Sequence, residues 1–428
     1  MAMSTATASL LRDRHFMTLL VARTLAMLGF AFAPVALAFG ILDLPDGTAL
    51  MLSTVLGFQL APHVILVLFG GVIADRHPRA YLIAIGEGGV GVCWAAIGYL
   101  LLIGFTPLWL LCLFAAGTGI FGSVVYPALT GIIPDLVPVE HLTEGNSWLQ
   151  LGNATAKLVG IVSGGAVVVW LGGGWALVWA AGVYIVSALL TLTLPKLSTT
   201  ASKAESMWRQ LRDGWDEFAS QQWLWVVVLA WGTMYFFFEA MVGVMGPFVS
   251  KIDLGGAAGW TMILAGQAVG AMIGVAVSLA WRPKRPLLVG IAFSAVFCGL
   301  PGILLGFTLP LWMVVISTVG LGFSFELFTV YWMTAMQLKV SPQALSRVGA
   351  YDAFGSILLG PLGLVAAGPA IEAFGVHPSL VFCGVVCTAI LGAGILSPGI
   401  RHLELNWANA DGEVDSSRKA VGIDDPRG

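Results

Sequence analysis

GGVIADRHPRA, residues 70–80, sets Asp75, Arg76, His77 and Arg79 within five residues of one another. The residues on both sides, 49–69 and 81–104, are almost wholly apolar. A bilayer core about 30 Å thick is crossed by roughly 20 apolar residues in a helix. The stretch therefore reads as the turn of a hairpin between two membrane spans.

The same count carried outward gives twelve runs: 16–42, 49–74, 81–104, 108–133, 146–171, 175–194, 223–249, 258–281, 287–307, 311–338, 345–373 and 379–399. Composition agrees. Only 10% of the 428 residues are charged, 58% are hydrophobic and the mean hydropathy is +0.91, whereas a soluble domain carries about 25% charged residues. So few polar side chains cannot cover a water-facing surface. The 54 glycines permit close helix packing, and the 16 tryptophans suit the membrane interface. No small-residue cleavage site follows Arg12 and Arg14, so 16–42 reads as a retained first span. The five cysteines all fall inside apolar runs and form no CxxC or Cys/His cluster. No metal, cofactor or disulfide framework is expected, and Cys383 and Cys387, one turn apart, read as small packing residues.

The only long polar stretch, Pro195 to Gln222, divides the runs into two sets of six. The expected organisation is a cytoplasmic segment 1–15, a six-helix bundle 16–194, a linker 195–222, a second bundle 223–400 and a disordered tail 401–428. The tail carries Asp411, Glu413, Asp415, Asp424 and Asp425. Within the linker, Trp208, Leu211, Trp215 and Phe218 recur at helical spacing between charged residues, which predicts an amphipathic helix on the membrane surface. With the N-terminus inside, nearly every Lys and Arg falls in a cytoplasmic segment, and the outer loops hold only Lys251. That asymmetry predicts both termini on the cytoplasmic side of the plasma (inner) membrane.

The opening stretch then lies in the cytoplasmic loop between the second and third spans. It resembles the G-x-L-A-D-R-x-G-R-R loop of the major facilitator superfamily: Gly71, Ala74, Asp75, Arg76 and Arg79 match, and Ile73 replaces Leu. Pro78 stands where Gly is usual, and Ala80 where the last Arg is usual. The segments 27–43, 127–148, 212–225 and 333–363 resemble the drug and siderophore exporters of that superfamily, which include macrolide pumps and enterobactin exporters. The resemblance implies an all-α integral membrane fold of two pseudo-symmetric six-helix bundles. It implies a conformational latch at Gly71, Asp75, Arg76 and Arg79. Asp75 would dock on the start of the eleventh span, and the two arginines would pair with Asp135. The bland reading of the loop is a positive-inside anchor.

Two departures stand out. Superfamily antiporters often carry an Arg early in the fourth span, where this chain reads LLCLFAAGTG (110–119). The fifth-span signature G-P-x-x-G-G appears as Gly160-Ile161-Val162-Ser163-Gly164-Gly165, without its Pro. Gly160 and Gly164 still form a GxxxG face, and Gly266, Gly270 and Gly274 form another in the eighth span. Because spans five and eight pair across the halves in this superfamily, both faces are expected at the contact between halves.

An ionisable side chain inside the bilayer costs about 3 kcal/mol or more and is a functional candidate by default. Glu239 lies past the middle of the seventh span, towards the outside, and Glu326 lies near mid-depth of the tenth or slightly inward; both spans line the cavity in the superfamily. They are the candidates for proton coupling or substrate contact, with Lys157 and Arg23 as their expected partners across the halves. Glu87 is expected to pair with Arg76 or Arg79, and Asp352 with Arg23 or Arg347. His63 reads as a packed histidine. The expected activity is export of a small amphipathic or apolar molecule by alternating access, with protons as the coupling ion, the bilayer as environment and a monomer as the unit. Uptake by symport or facilitated diffusion on the same fold is the alternative. No GxxxxGK[ST] loop points to ATP, the six histidines are scattered, no enzymatic constellation is present, and no nucleic-acid partner is expected.

Overall fold

The computed structural model describes residues 12–137, 142–195, 215–340 and 342–405. The described residues contain helices and no strand. The spans are α1 (Arg14–Leu42), α2 (Ala49–Arg76), α3 (Arg79–Ile103), α4 (Leu108–Ser123, continued by Val125–Leu136), α5 (Leu142–Leu171) and α6 (Gly173–Leu192). The second set is α7 (Gln222–Glu239, a π-helical turn Ala240–Met245, then Gly246–Asp253), α8 (Ala257–Ala280), α9 (Pro286–Phe297 and Leu300–Gly306), α10 (Leu311–Lys339), α11 (Pro342–Ile357 and Gly360–Phe374) and α12 (Val376–Gly394). A short α13 (Pro398–Arg401) follows. Eleven described helices are long and apolar enough to cross a membrane. The twelfth expected span, α4, begins with an apolar helix of 16 residues and continues past a break.

The breaks inside spans have a common cause. Pro127, Pro301 and Pro361 each stand four residues after the last residue of the preceding helix, namely Ser123, Phe297 and Ile357. Proline offers no N–H and its ring crowds the carbonyl four residues back. The π turn of α7 is likewise followed by Pro247. Pro34, Pro62 and Pro369 lie in helices that continue through them. α1 starts where the Asp13 carboxylate accepts the backbone N–H groups of His15 and Phe16, both at 2.8 Å.

The two halves repeat one packing scheme. In the first, α1 packs on α5 and α6, α2 on α4, and α3 on α4 and α6. In the second, α7 packs on α11 and α12, α8 on α10, and α9 on α10 and α12. Each pair maps onto its counterpart by adding six. The helices that join the halves, α2 with α11 and α5 with α8, exchange under the same rule.

Helix polarity distinguishes two faces. The Arg14 face holds the start of α1 and the end of α6; the Lys251 face holds the end of α1 and the end of α7. At the Arg14 face the second half has its own core, where Phe218, Trp223, Leu287, Ile291 and Trp332 meet Ile400, Leu403 and Leu405. Residues 401–405 of the expected tail are thus packed on the second half, and 406–428 lie outside the described residues. Leu405 N–H donates to the Lys284 carbonyl at 3.1 Å, and Arg285 Nη2 donates to Glu404 Oε1 at 3.0 Å. Of the expected linker helix, Trp208 and Leu211 lie outside the described residues. Trp215 and Phe218 fall on a helical stretch, 215–220, and their rings pack on Tyr351 at 5.6 and 5.9 Å.

Candidate functional site

The seam between the halves is made by small residues. On α5 and α8, Ile161 joins Ala31 and Ala268 in one buried cluster, and a Cβ at Gly165 would collide with the Thr261 side chain. On α2 and α11, a Cβ at Gly57 would strike Val365, and one at Gly368 would strike Ser53 and lie 2.7 Å from Leu50 Cα. At the end of α7, the Lys251 ammonium donates to the Leu42 carbonyl at the end of α1 and lies 3.5 Å from Asp43 Oδ1. These contacts lie between mid-depth and the Lys251 face, judged by the 1.5 Å rise per residue.

The two glycine faces expected at the seam are elsewhere. A Cβ at Gly160 would lie 2.7 Å from the Leu28 carbonyl, and one at Gly164 would lie 3.1 Å from Phe32 Cα, both on α1. A Cβ at Gly266 would lie 2.9 Å from Thr318 Oγ1; one at Gly270 would collide with the Val319 carbonyl; one at Gly274 would lie 3.1 Å from Glu326 Cβ. All three face α10. These glycines bring backbones together within each half. The reason is room: α1 and α10 press their main chains on these faces, and the seam takes the neighbouring positions of α5 and α8.

Glu239 is the last residue of α7 before its π turn, a distortion that often marks functional sites in helices. Tyr235 stands one turn earlier on the same helix. A Cβ at Gly243 would lie 3.7 Å from both Glu239 Oε2 and Leu56 Cδ1 of α2, so the carboxylate borders the seam. The sequence marks this turn only by Gly243 and the Gly246-Pro247 pair. Glu326 is half-buried on α10, and the charge of Lys157, exposed on α5, acts on it from the other half.

Arg23 pairs with Glu87 and not with Asp352, and the side chain of Arg347, the other partner expected for Asp352, lies outside the described residues. Arg23 Nη1 lies 3.5 Å from Glu87 Oε1 within the first half. Asp352 Oδ2 accepts the Trp332 indole N–H at 3.0 Å, and Asp352 Oδ1 lies 3.4 Å from the Ser356 hydroxyl. Depth along a helix told which groups share a level; the direction each side chain points decided the pairs. His63 packs on α4, where a Cβ at Gly122 would lie 3.6 Å from its Nδ1. The side chains of Gly71, Asp75, Arg76 and Asp135 lie outside the described residues, although α2 runs to Arg76 and α3 starts at Arg79.

Behind Glu239 and Glu326, α7 and α10 interlock through rings. Trp231 stacks on Phe328 at 4.2 Å and 13°, and Phe325 meets both Trp231 and Phe238 at 5.2 Å. Met241 and Met245 are buried in the same core and serve packing.

Comparison with known proteins agrees with this architecture. The enterobactin exporter EntS of Salmonella typhi is 24% identical over 342 residues, covering 76% of this chain and 80% of that protein. The enterobactin exporter EntS of Citrobacter koseri is 24% identical over 344 residues, with the same coverage. The crystal structure of the nucleoside transporter NupG superposes with a TM-score of 0.72 at 14% identity, covering 91% of this chain and all of that one; the likeness is one of fold. The profile of the Major Facilitator Superfamily matches residues 15–363, from α1 into α11. With that match, and with two like halves joined through α2–α11 and α5–α8, the chain belongs to the Major Facilitator Superfamily.

Proposed function

We propose that this transporter exports a small amphipathic or apolar molecule by alternating access, driven by inward proton flow. It works in the inner membrane with the Arg14 face cytoplasmic. The observation that carries the reading is the placement of two carboxylates at a seam of small residues. Glu239 borders α2 at that seam, and Glu326 feels Lys157 from the opposite half. Rocking of the halves changes the surroundings of both groups, as mid-membrane coupling requires. In this reading the contacts near Lys251 are those of a state closed towards the outside. The latch of Asp75, Arg76, Arg79 and Asp135 would close the other face. The direction rests on relatives named as enterobactin exporters.

The test uses everted vesicles with an imposed pH gradient, with enterobactin and ethidium as probes. Glu326→Gln should abolish gradient-driven transport while leaving probe binding intact, and Glu239→Gln is the control for which carboxylate carries the proton. Uphill export retained in both variants would reject proton coupling through these groups. Coupling would then run through another group or another ion, whereas flux that ignores the gradient in the unmodified protein would favour a facilitator, in keeping with the uncharged start of α4, Leu110–Gly119.

A further inference from the structure

Glu87 lies on α3 between α1 and α6, about 12 Å along the helices from the Arg14 face. Its side chain is 1% exposed. Three polar groups meet there. Arg23 Nη1 is 3.5 Å from Glu87 Oε1, longer than the 2.7–2.9 Å of a tight charge-assisted hydrogen bond. Glu87 Oε1 is buried and accepts no hydrogen bond. The Ser187 hydroxyl on α6 is 2.6 Å from Glu87 Oε2 and 2.8 Å from the Ala22 carbonyl on α1.

We propose that Glu87 is a proton-binding site of the first half, with Arg23 as its releasable counter-charge and Ser187 as the group that adapts to either state. A hydroxyl has one proton to give, and Ser187 has two acceptors in range. With Glu87 ionised, Ser187 donates to Oε2. With a proton on Oε2, Glu87 donates to Ser187 Oγ, and the Ser187 proton turns to the Ala22 carbonyl. Both states leave the Oε2 side fully bonded. The incoming proton comes from water; one O–H bond forms, no covalent bond within the protein breaks, and the charge of the Arg23–Glu87 pair rises from zero to plus one. Arg23 keeps its own proton. Having lost its counter-charge, it is free to turn its guanidinium, already 17% exposed, towards solvent.

Among the described residues the surroundings supply no substitute charge. From α1 the facing charged group is Arg23. From α6 the facing polar groups are Ser187 and the phenol of Tyr184, whose ring packs on Gly29. Towards α4, Gly86 and Gly89 of α3 meet Val125 and Phe121, which do not titrate. A permanent ion pair would want a close, fully satisfied geometry. Here the contact is long and one carboxylate oxygen is left over. Protonation would also loosen the tie among α1, α3 and α6, placing a proton-sensitive joint inside the first half, apart from the seam.

The site is a claim about proton binding and does not depend on which carboxylate couples transport. Its test is infrared difference spectroscopy of the reconstituted full chain across pH, reading the carbonyl band of protonated carboxyl groups. Glu87→Gln should remove one titrating component. Arg23→Gln, which removes the neighbouring cation, should let the protonated form persist to higher pH, by about tenfold or more in proton affinity. Ser187→Ala keeps the ion pair and should shift the same component, which covers the case in which Glu87→Gln does not fold. An unchanged set of titrating bands in Glu87→Gln, or in both of the other variants, would overturn the proposal. Glu326→Gln should leave this component in place, so failure of the seam reading and failure of this one are separable.

Discussion

Lys251, at the end of α7, reaches Asp43 at the end of α1 with its ammonium 3.5 Å from Oδ1, and so ties the two halves at one face. It also takes the Leu42 carbonyl, one of the last carbonyls of α1, which have no partner within their own helix. Both side chains are partly exposed, at 35% and 58%. Screening keeps such a pair to about 0.2–1 kcal/mol. Lys251→Gln should therefore shift the balance between closed and open Lys251 faces by roughly fivefold at most. A cysteine at Ser53, which is buried beside Gly368, reports the change by its labelling rate with a membrane-impermeant maleimide. Faster labelling is expected in Lys251→Gln. An unchanged rate would mean that α1 and α7 stay together without the tie.

The segment after α12 offers a comparison of charge against burial. Glu404 and Arg285 pair at 3.0 Å with both side chains about half exposed, whereas Leu405 is 5% exposed in the core around Trp223 and Leu287. An exposed pair adds at most about 1 kcal/mol. A large-to-small change in a core costs about 2–5 kcal/mol. Leu405→Ala should lower the thermal midpoint in detergent clearly, and Glu404→Ala only slightly. Equal effects would show that the segment is held by its charges instead of its leucines.

The sequence carried the spans and the family, because apolar length and the loop at Asp75 are both local signals. It carried the breaks less openly. Pro127, Pro301 and Pro361 end helices, but Pro34, Pro62 and Pro369 do not, and one residue type in an apolar run cannot tell these apart. Partners were the least legible. Glu87, Arg23 and Ser187 are far apart in the chain and meet only because α1, α3 and α6 pack together. The glycine faces of α5 and α8 announced close approach without saying to which neighbour. A helix has several sides, and a small-residue stripe marks a side, not its occupant.

That distinction gives the last prediction. Gly270 packs on α10 inside the second half, and a side chain there would run into the Val319 carbonyl. Gly165 packs on Thr261 across the seam. The same substitution should therefore have two different consequences. Gly270→Leu overfills a contact inside one half, which rigid-body rocking of the halves would leave in place. Overpacking costs about 1–3 kcal/mol, so the variant should melt earlier in detergent, and transport should fall with the amount of folded protein. Gly165→Leu obstructs only the approach of α5 to α8 near the Lys251 face. Its melting should stay near the wild type, while a cysteine at Ser53 should label faster because that face closes less often. Thermal unfolding and maleimide labelling of both variants separate the two effects. If Gly270→Leu keeps its melting temperature but blocks transport, α8 slides on α10 during the cycle, and the halves do not move as rigid bodies. If Gly165→Leu lowers stability as much as Gly270→Leu does, the α5–α8 contact belongs to the folded core and does not open.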